Sequence, residues 1–391
     1  MKKVILKKNE DRRIKKGHLW IFSNEISKTE GDIQNGDLVE VYDSTQNFLA
    51  HGFYNANSLI AVRIISTKKE IQIENLLAER LNQAYQLRKT IYTNRNSFRL
   101  VFSESDFLPG LIIDKYNNTF VLQVYSFGME KNIEVIINTL KEKFNAENIF
   151  TKHDAYFRKL EGLDDEDKIY LGSKSVELID DGLIKYKVDF NLSQKTGFFF
   201  DQCDNREFFG KFCKDKIVLD CFCNSGGFGL HAINNKANEV TFVDSSSDEI
   251  ENVKNNFALN NFTTKTKYFV SDVFDFLVNQ VSQNQKYDIV NIDPPAFAKS
   301  RKSIPTAIKG YEKLNKLAML ITKDDGFLFT SSCSHHINDE DFLSIIKNAA
   351  IKANKKIQLL HFNHASMDHP ILPFMPETLY LKFAMLKVSS E

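Results

Sequence analysis

From residue 217 onward, short apolar runs alternate with stretches whose apolar residues recur at helical spacing. The pattern predicts strands over 217–222, 240–244, 267–270, 287–292 and 327–331. Helices are predicted after each of them, over about 227–236, 247–260, 273–281, 307–321 and 339–352. A run such as Ile217, Val218 and Leu219, with no polar alternation, is what a strand covered on both faces shows. Regular alternation of such strands with helices specifies an α/β fold, a doubly wound parallel sheet of Rossmann-like architecture. Two more strands, near 356–362 and 378–386, follow with no helix between them. They are expected as antiparallel neighbours at one edge, giving seven strands with the last one antiparallel.

The pattern upstream is different. Apolar and polar positions alternate over Val4 to Leu6, Leu38 to Tyr42, Phe48 to Tyr54 and Ile60 to Ile65, which predicts a small all-β module within residues 1–70. Ile73 to Tyr92 reads as a linking helix. A strand at Arg99 to Phe102, the SESDFLPGLIIDKY stretch (Ser103 to Tyr116) and a turn at Asn117-Asn118 into Thr119 to Tyr125 follow. With a helix over about Glu130 to Lys143 and a strand at Asn148 to Lys152, they make a second, α+β module within 73–190. The acidic run Glu161 to Asp167 is expected as a solvated loop. A hairpin about Asp181-Gly182 then leads to the third region, 191–391. The segments GHLWIFSNEI, GDLVEVYD and FLAHGFYN of the first module resemble the PUA domain, an RNA-binding pseudo-barrel. Trp20, the chain's one tryptophan, is expected in its core and not as a platform for a base.

Composition changes this picture little. The chain has 391 residues, long enough for two or three domains, and Lys+Arg and Asp+Glu both number 51. Affinity for a polyanion must therefore come from local patches, such as the run of Lys2, Lys3, Lys7, Lys8, Arg12, Arg13, Lys15 and Lys16 against Glu10 and Asp11. No apolar run reaches membrane-spanning length and the N-terminus lacks a signal-peptide core, so a cytoplasmic protein without membrane contact is expected. The cysteines, 203, 213, 221, 223 and 333, lack paired C-x-x-C spacing and favour neither a disulfide framework nor a zinc site. Cys203, Cys213 and Cys221 read as packing residues.

Candidate chemistry sits at the strand ends. KIVLDCFCNSGGFG (Lys216 to Gly229) is an apolar strand ending in an acid and running into a glycine-rich turn before a helix, where a nucleotide-like cofactor is expected. The glycines do not fit G-x-G-x-x-G, and there is no G-x-x-x-x-G-K-[ST], so neither a pyrophosphate turn nor a nucleoside triphosphate is favoured. Asp244 closes the next strand, 18 residues after Gly226, where a carboxylate accepts both hydroxyls of a ribose or caps a helix. Asp272 is placed either to meet an adenine amino group or to cap the helix that follows it.

The fourth strand ends in Asp-Pro-Pro (YDIVNIDPPAF, Tyr287 to Phe297). Two prolines there leave backbone carbonyls free of local donors, so Asp293 and the Pro294 carbonyl are expected to hold the edge of a flipped base, with Phe297 available for stacking. The fifth strand ends FTSSCSHH (Phe329 to His336), and adjacent strands of such a sheet open onto one crevice. Cys333 is therefore expected near Asp293 and the glycine loop, as a nucleophile that adds to carbon 6 of a pyrimidine. His335 and His336 are expected in structural hydrogen bonding, with a role as local base or phosphate donor as the alternative, and His369, Pro370 and Pro373 in a stiff loop at the mouth of the pocket.

Taken together, QKTGFFFDQCDNR, VLDCFCNSGGFGLHA, NIDPPAF and SSCSH make the chain resemble the 23S ribosomal RNA (cytosine-5)-methyltransferase I family over nearly its whole length. The resemblance implies a PUA domain, a small α+β domain and a class I fold that uses S-adenosyl-L-methionine on 23S ribosomal RNA. It further implies that Gln194, Lys195, Thr196, Phe199, Asp201 and Arg206 form a flap on the cofactor side. Asp220, Phe222, Cys223, Asn224, Ser225, Gly226 and Gly227 would hold the methionine end, Ser245, Val273 and Asp293 would join Asp244 and Asp272 on the cofactor, and Cys333 would be the nucleophile. The chain departs from the family in reading CFCNSGGF where a tyrosine or threonine belongs in the polar part of the cradle. Two alternatives stay open: a methyltransferase acting on an exocyclic nitrogen, and an inactive RNA-binding assembly factor. The nucleotide modified, the base that removes its proton and the oligomeric state, a homodimer among the options, are not legible.

Overall fold

The computed structural model describes residues 2–193, 195–298 and 300–390, and its contacts divide them into two compact units. The first comprises Met1–Ile179, Val188–Phe200 and Asp368–Thr378, the second Asp180–Lys187, Asp201–Met367 and Leu379–Glu391. Among the described residues no helix is long and apolar enough to cross a membrane.

The first unit holds two sheets. The strands β1 (Lys3–Leu6), β2 (Trp20–Phe22), β3 (Ile26–Glu30), β4 (Leu38–Tyr42), β5 (Phe48–Tyr54) and β6 (Ile60–Ser66), with a single helical turn α1 (Arg12–Lys15), form a six-stranded sheet in the order β2-β6-β5-β4-β1-β3. Alternate residues Val4, Leu6, Val39, Val41, Val62 and Ile64 point into its core, as a period of two requires. Helix α2 (Ile73–Ile91) precedes β7 (Ser97–Phe102), β8 (Leu111–Tyr116), β9 (Thr119–Val124), α3 (Phe127–Lys131), α4 (Ile133–Phe144), β10 (Asn148–Thr151), α5 (Ala155–Glu161) and β11 (Ile169–Leu171). Their sheet runs β11-β10-β9-β8-β7. The helix expected over 130–143 is two pieces that meet at Asn132.

Trp20 is half-buried and its indole N–H donates to Glu104 at 2.8 Å. The basic N-terminal run is partly consumed inside the unit, with Lys2 on Asp37 and Arg13 on Glu25. One expectation is overturned here. Glu161, read as the start of a solvated acidic loop, is 4% exposed and accepts hydrogen bonds from Asn55, Ser58 and Arg63 at 2.9, 2.8 and 2.7 Å. Its partners lie about a hundred residues upstream, so a charge count along the chain cannot reveal them; Asp165, Glu166 and Asp167 are exposed as expected. The loop with His369, Pro370 and Pro373 belongs to this unit. Arg99 N donates to the Asp368 carboxylate at 2.9 Å, and Leu372 and Met375 enter the apolar core of the six-stranded sheet.

A two-stranded hairpin, β12 (Val176–Asp180) and β13 (Lys185–Asp189), leads towards the second unit. After the hairpin, whose residues Asp180–Lys187 belong to that unit, come α6 (Cys203–Gly210), β14 (Ile217–Cys221), α7 (Gly227–Asn234), β15 (Glu239–Asp244), α8 (Ser247–Leu259), β16 (Lys265–Val270), α9 (Val273–Ser282) and β17 (Tyr287–Ile292). The unit ends with α10 (Ile304–Ile321), β18 (Thr322–Ser332), α11 (Asp339–Ala353), β19 (Lys356–Asn363) and β20 (Lys382–Ser389). The sheet is seven-stranded, in the order β16-β15-β14-β17-β18-β20-β19. Five strands are parallel neighbours, and β20 is antiparallel to both β18 and β19. The last two strands are antiparallel neighbours as expected, with β19 at the edge and β20 inside it. Caps start the helices on time: Ser246 accepts from Glu249 N, Asp272 from Phe274 N and Asp275 N, and Asn338 from Asp341 N.

Candidate active site

The strand order reverses at β14: β15 lies on one side, β17 on the other. Such a switch point opens a crevice beyond the carboxyl ends of the strands. Register fixes what meets there, because Asp220 pairs with Asn291, and Asn291 in turn with Phe329.

The turn after β14 is built for close approach. Phe222, Asn224 and Gly226 have φ of 58°, 47° and 87°, and a bulky residue such as Phe222 takes the left-handed region only when its surroundings impose it. A Cβ on Gly227 would stand 2.3 Å from the Arg206 Nε, and one on Gly229 2.1 Å from the Phe242 ring, so neither position admits a side chain without displacement. Asp220, 1% exposed, accepts from Gly229 N at 2.8 Å and from the Asn291 amide at 2.9 Å, tying strand, helix and neighbouring strand together. Burial pushes its carboxyl up to about 6, against the pull of those two donors. Asp244 accepts from Asn224 N and Ser246 N, both at 3.0 Å, one at each carboxylate oxygen. A carboxylate has about four lone-pair sites, so two remain for a diol. Asp272 caps α9 through one oxygen only, so the cap and an outward contact are compatible.

Beyond β17 the Asp-Pro-Pro corner meets the end of β18. The Sγ of Cys333 lies 3.8 Å from the carbonyl oxygen of Pro294, and the cysteine is partly exposed, whereas Cys203, Cys213, Cys221 and Cys223 are buried. Burial raises the thiols of Cys221 and Cys223 well above the usual range, which makes them poor nucleophiles. Asp293 accepts from the Gln202 amide at 3.0 Å. Desolvation, with Asp201 adding like charge, pushes its carboxyl up to about 7. Phe297 lies against Tyr311, ring centroids 4.5 Å apart, and stays partly exposed.

Comparison with known proteins fits this geometry. A PUA-like domain is matched over residues 4–67, and the family described as conserved hypothetical protein 95 over 197–340. The chain is 35% identical to ribosomal RNA large subunit methyltransferase I of Tolumonas auensis, covering 97% of both chains. It is 37% identical to the protein of the same name from Vibrio campbellii, covering 98% of this chain and 99% of that one. The chain belongs to the ribosomal RNA large subunit methyltransferase I family. Its fold matches that of a provisionally described methyltransferase solved with SAH, at TM-score 0.86, 20% identity and coverage of 99% of this chain and 100% of that one. A SAM-dependent relative from Streptococcus mutans, also provisionally described, gives 0.84 at 21% identity over 99% of this chain and all of that one. The second unit thus has the SAM-dependent methyltransferase fold.

In this family member the residues named from sequence fall into two groups. Asp201, Arg206, Asp220, Phe222, Cys223, Asn224, Ser225, Gly226, Gly227, Asp244, Ser245, Asp272, Val273, Asp293, Pro294 and Cys333 all belong to the second unit, and Lys195, Thr196 and Phe199 to the first. Gln194 lies outside the described residues. Thr196 is buried, its carbonyl accepting from the Tyr116 hydroxyl at 3.2 Å, and the Lys195 ammonium stands 5.2 Å from the Phe199 ring centroid. Val273 has its side chain in the apolar core, so it can offer a ligand only backbone atoms. Asp201 accepts from the Tyr380 hydroxyl at 2.6 Å, and His335 stacks on the same tyrosine ring at 5.1 Å.

Sequence reasoning missed the polar chain behind Asp293. Gln202 also donates to the Ser331 hydroxyl at 3.2 Å and accepts from Asn205 at 2.8 Å, and Asn205 in turn accepts from Asn363 at 2.8 Å. The signal was present, since Gln202 and Asn205 stand inside the QKTGFFFDQCDNR motif. Lys382, 1% exposed at the start of β20, was missed as well.

The raised carboxyls bear on stability. Folded pKa values of about 6 for Asp220 and about 7 for Asp293 exceed the unfolded 3.8, so the native state holds the extra protons. Their contribution is full below pH 3.8 and is lost as pH rises through about 6 to 7. Asp293→Asn cannot ionise, so its melting temperature should gain on the wild type between about pH 5 and about pH 8. Thermal melts at both ends of that range check this, and a gap that does not widen contradicts it.

Proposed function

We propose that the protein methylates carbon 5 of a cytidine in large-subunit (23S) ribosomal RNA, in the cytosol, with S-adenosylmethionine as donor and Cys333 as nucleophile. The observation that carries this reading is the 3.8 Å approach of the Cys333 sulfur to the Pro294 carbonyl. An exocyclic amino group held by that carbonyl brings its pyrimidine ring over the thiol.

The residues of the glycine turn fit the donor. Gly226 and Gly227 bring the turn tightly against Val253 and Arg206, which shapes the place for the methionine end, and the spare capacity of Asp244 suits a ribose. When bound, S-adenosylmethionine supplies the electrophilic methyl group that the activated carbon takes up. Cys333 performs the activation. Its thiolate forms a bond to carbon 6, which moves the ring's electron pair towards carbon 5 and the carbonyl. After methylation a base takes the proton from carbon 5, and the carbon 6–sulfur bond breaks to restore the ring and the thiolate. Asp293, with a carboxyl near neutrality, can offer its proton to the ring nitrogen or accept from the amino group, and Gln202 fixes its orientation. Family membership supports ribosomal RNA as the substrate, and the PUA-like domain supports RNA binding.

Mass-spectrometric mapping of ribosomal RNA from cells with and without this gene product tests the reading. One 5-methylcytidine in the large-subunit RNA should vanish on deletion. Loss of an N4-methylated base instead would move the chemistry to the exocyclic nitrogen.

A further inference from the structure

A buried lysine stands beside the turn that carries Cys333. Lys382 opens β20 directly opposite Ser332, the last residue of β18, and is 1% exposed. Its ammonium donates to the carbonyl of Ser334 at 2.8 Å and to that of Tyr380 at 2.6 Å. Ser332 and Ser334 flank Cys333, so the lysine engages the turn on both sides of the sulfur. We infer that Lys382 is a positioning residue of this site: its ammonium fixes the Cys333 turn and favours the thiolate form of that sulfur.

The energetics argue against packing as the reason for a lysine here. Burying an ammonium is costly unless it is well compensated, and both of its hydrogen-bond partners are neutral carbonyls. Methionine would fill the same space beside the apolar Phe383 to Leu386 at no such cost. Desolvation lowers the lysine to about 8, and the Cys333 charge acts against that, ahead of Asp339 and Asp341 on α11. A thiolate at Cys333 would thus offset part of the cost of burying the ammonium. Other groups stand beside this turn as well. Tyr311 on α10 donates to or accepts from the Ser334 hydroxyl at 2.9 Å, and its phenol is raised by burial and by Cys333. Pro294 offers a carbonyl, with Asp293 just before it, and His335 and His336, both exposed, follow the cysteine in sequence.

This inference rests on reading Cys333 as the nucleophile, but its test reads the sulfur and not methyl transfer. The rate of Cys333 alkylation by iodoacetamide is followed against pH by peptide mass spectrometry on the full chain. In the wild type the half-point should lie below about 8.5, the value of an ordinary cysteine. In Lys382→Met it should rise by about one pH unit, and Lys382→Arg should restore most of that shift. A wild-type half-point at or above about 8.5 overturns the inference even if the methionine variant does not fold. So does a methionine variant whose profile superimposes on the wild type. Because alkylation is independent of turnover, the coupling is decided whether or not Cys333→Ala abolishes methylation.

Discussion

Cys333→Ala is expected to lower turnover by at least about a thousandfold while leaving S-adenosylmethionine affinity essentially unchanged. Carbon 5 of a cytosine is too weak a nucleophile to take a methyl group unaided, and no other cysteine can replace the lost sulfur. Cys221 and Cys223 are buried with thiols raised well above the usual range, and Cys203 and Cys213 are 3% and 0% exposed. Cofactor affinity survives for a geometric reason. Cys333 follows β18, two strands from the glycine turn after β14, which is roughly 10 Å at ordinary strand spacing. The substitution removes one atom from a partly exposed position, so little stability is lost with it. Single-turnover kinetics and calorimetric titration of the same preparation separate the two effects. Retained turnover would refute covalent catalysis.

The second large effect is expected at Asp244. Its carboxylate closes β15, takes Asn224 N and Ser246 N, and keeps two acceptor sites for the ribose hydroxyls. Hydrogen bonds to a charged acceptor contribute about 1.5 kcal/mol or more each, so Asp244→Ala should weaken S-adenosylmethionine binding by about a hundredfold or more. The loss has two parts, the missing acceptor and a glycine turn no longer tethered at Asn224. Asp244→Asn keeps one acceptor oxygen and should fall between the two proteins. Isothermal titration gives the ranking, and an alanine variant that binds like the wild type would remove the ribose role from this residue.

Much of the fold is legible in the sequence, and for definite reasons. The strands β14, β15 and β17 are largely buried, so their apolar runs stand out, and Asp272 caps α9 where the sequence offered a cap. The glycine turn and the Asp-Pro-Pro corner were legible because backbone constraint is written in glycine and proline. The strands β2 and β3 escaped notice because the first is three residues long and the second carries Ser27, Lys28 and Thr29. The start of β20 was placed four residues early, since Leu379, Tyr380 and Leu381 read as strand although the chain is irregular there. What stayed hidden depends on partners distant in sequence. The Glu161 cluster reaches back to Asn55, the Gln202 chain joins residues 202, 205, 331 and 363, and Lys382 acquires its meaning only opposite Ser332.

The account rests on a bond between the Cys333 sulfur and carbon 6 of a cytosine, and the most direct measurement is to trap it. Large-subunit RNA fragments carrying 5-fluorocytidine cannot lose a proton from carbon 5, so the enzyme should stay attached after methyl transfer. Incubation with S-adenosylmethionine, denaturing electrophoresis and peptide mass spectrometry should show an RNA adduct on the peptide containing Cys333, and none in Cys333→Ala. Methylated RNA recovered free of protein, or an adduct on any other cysteine, would contradict the account.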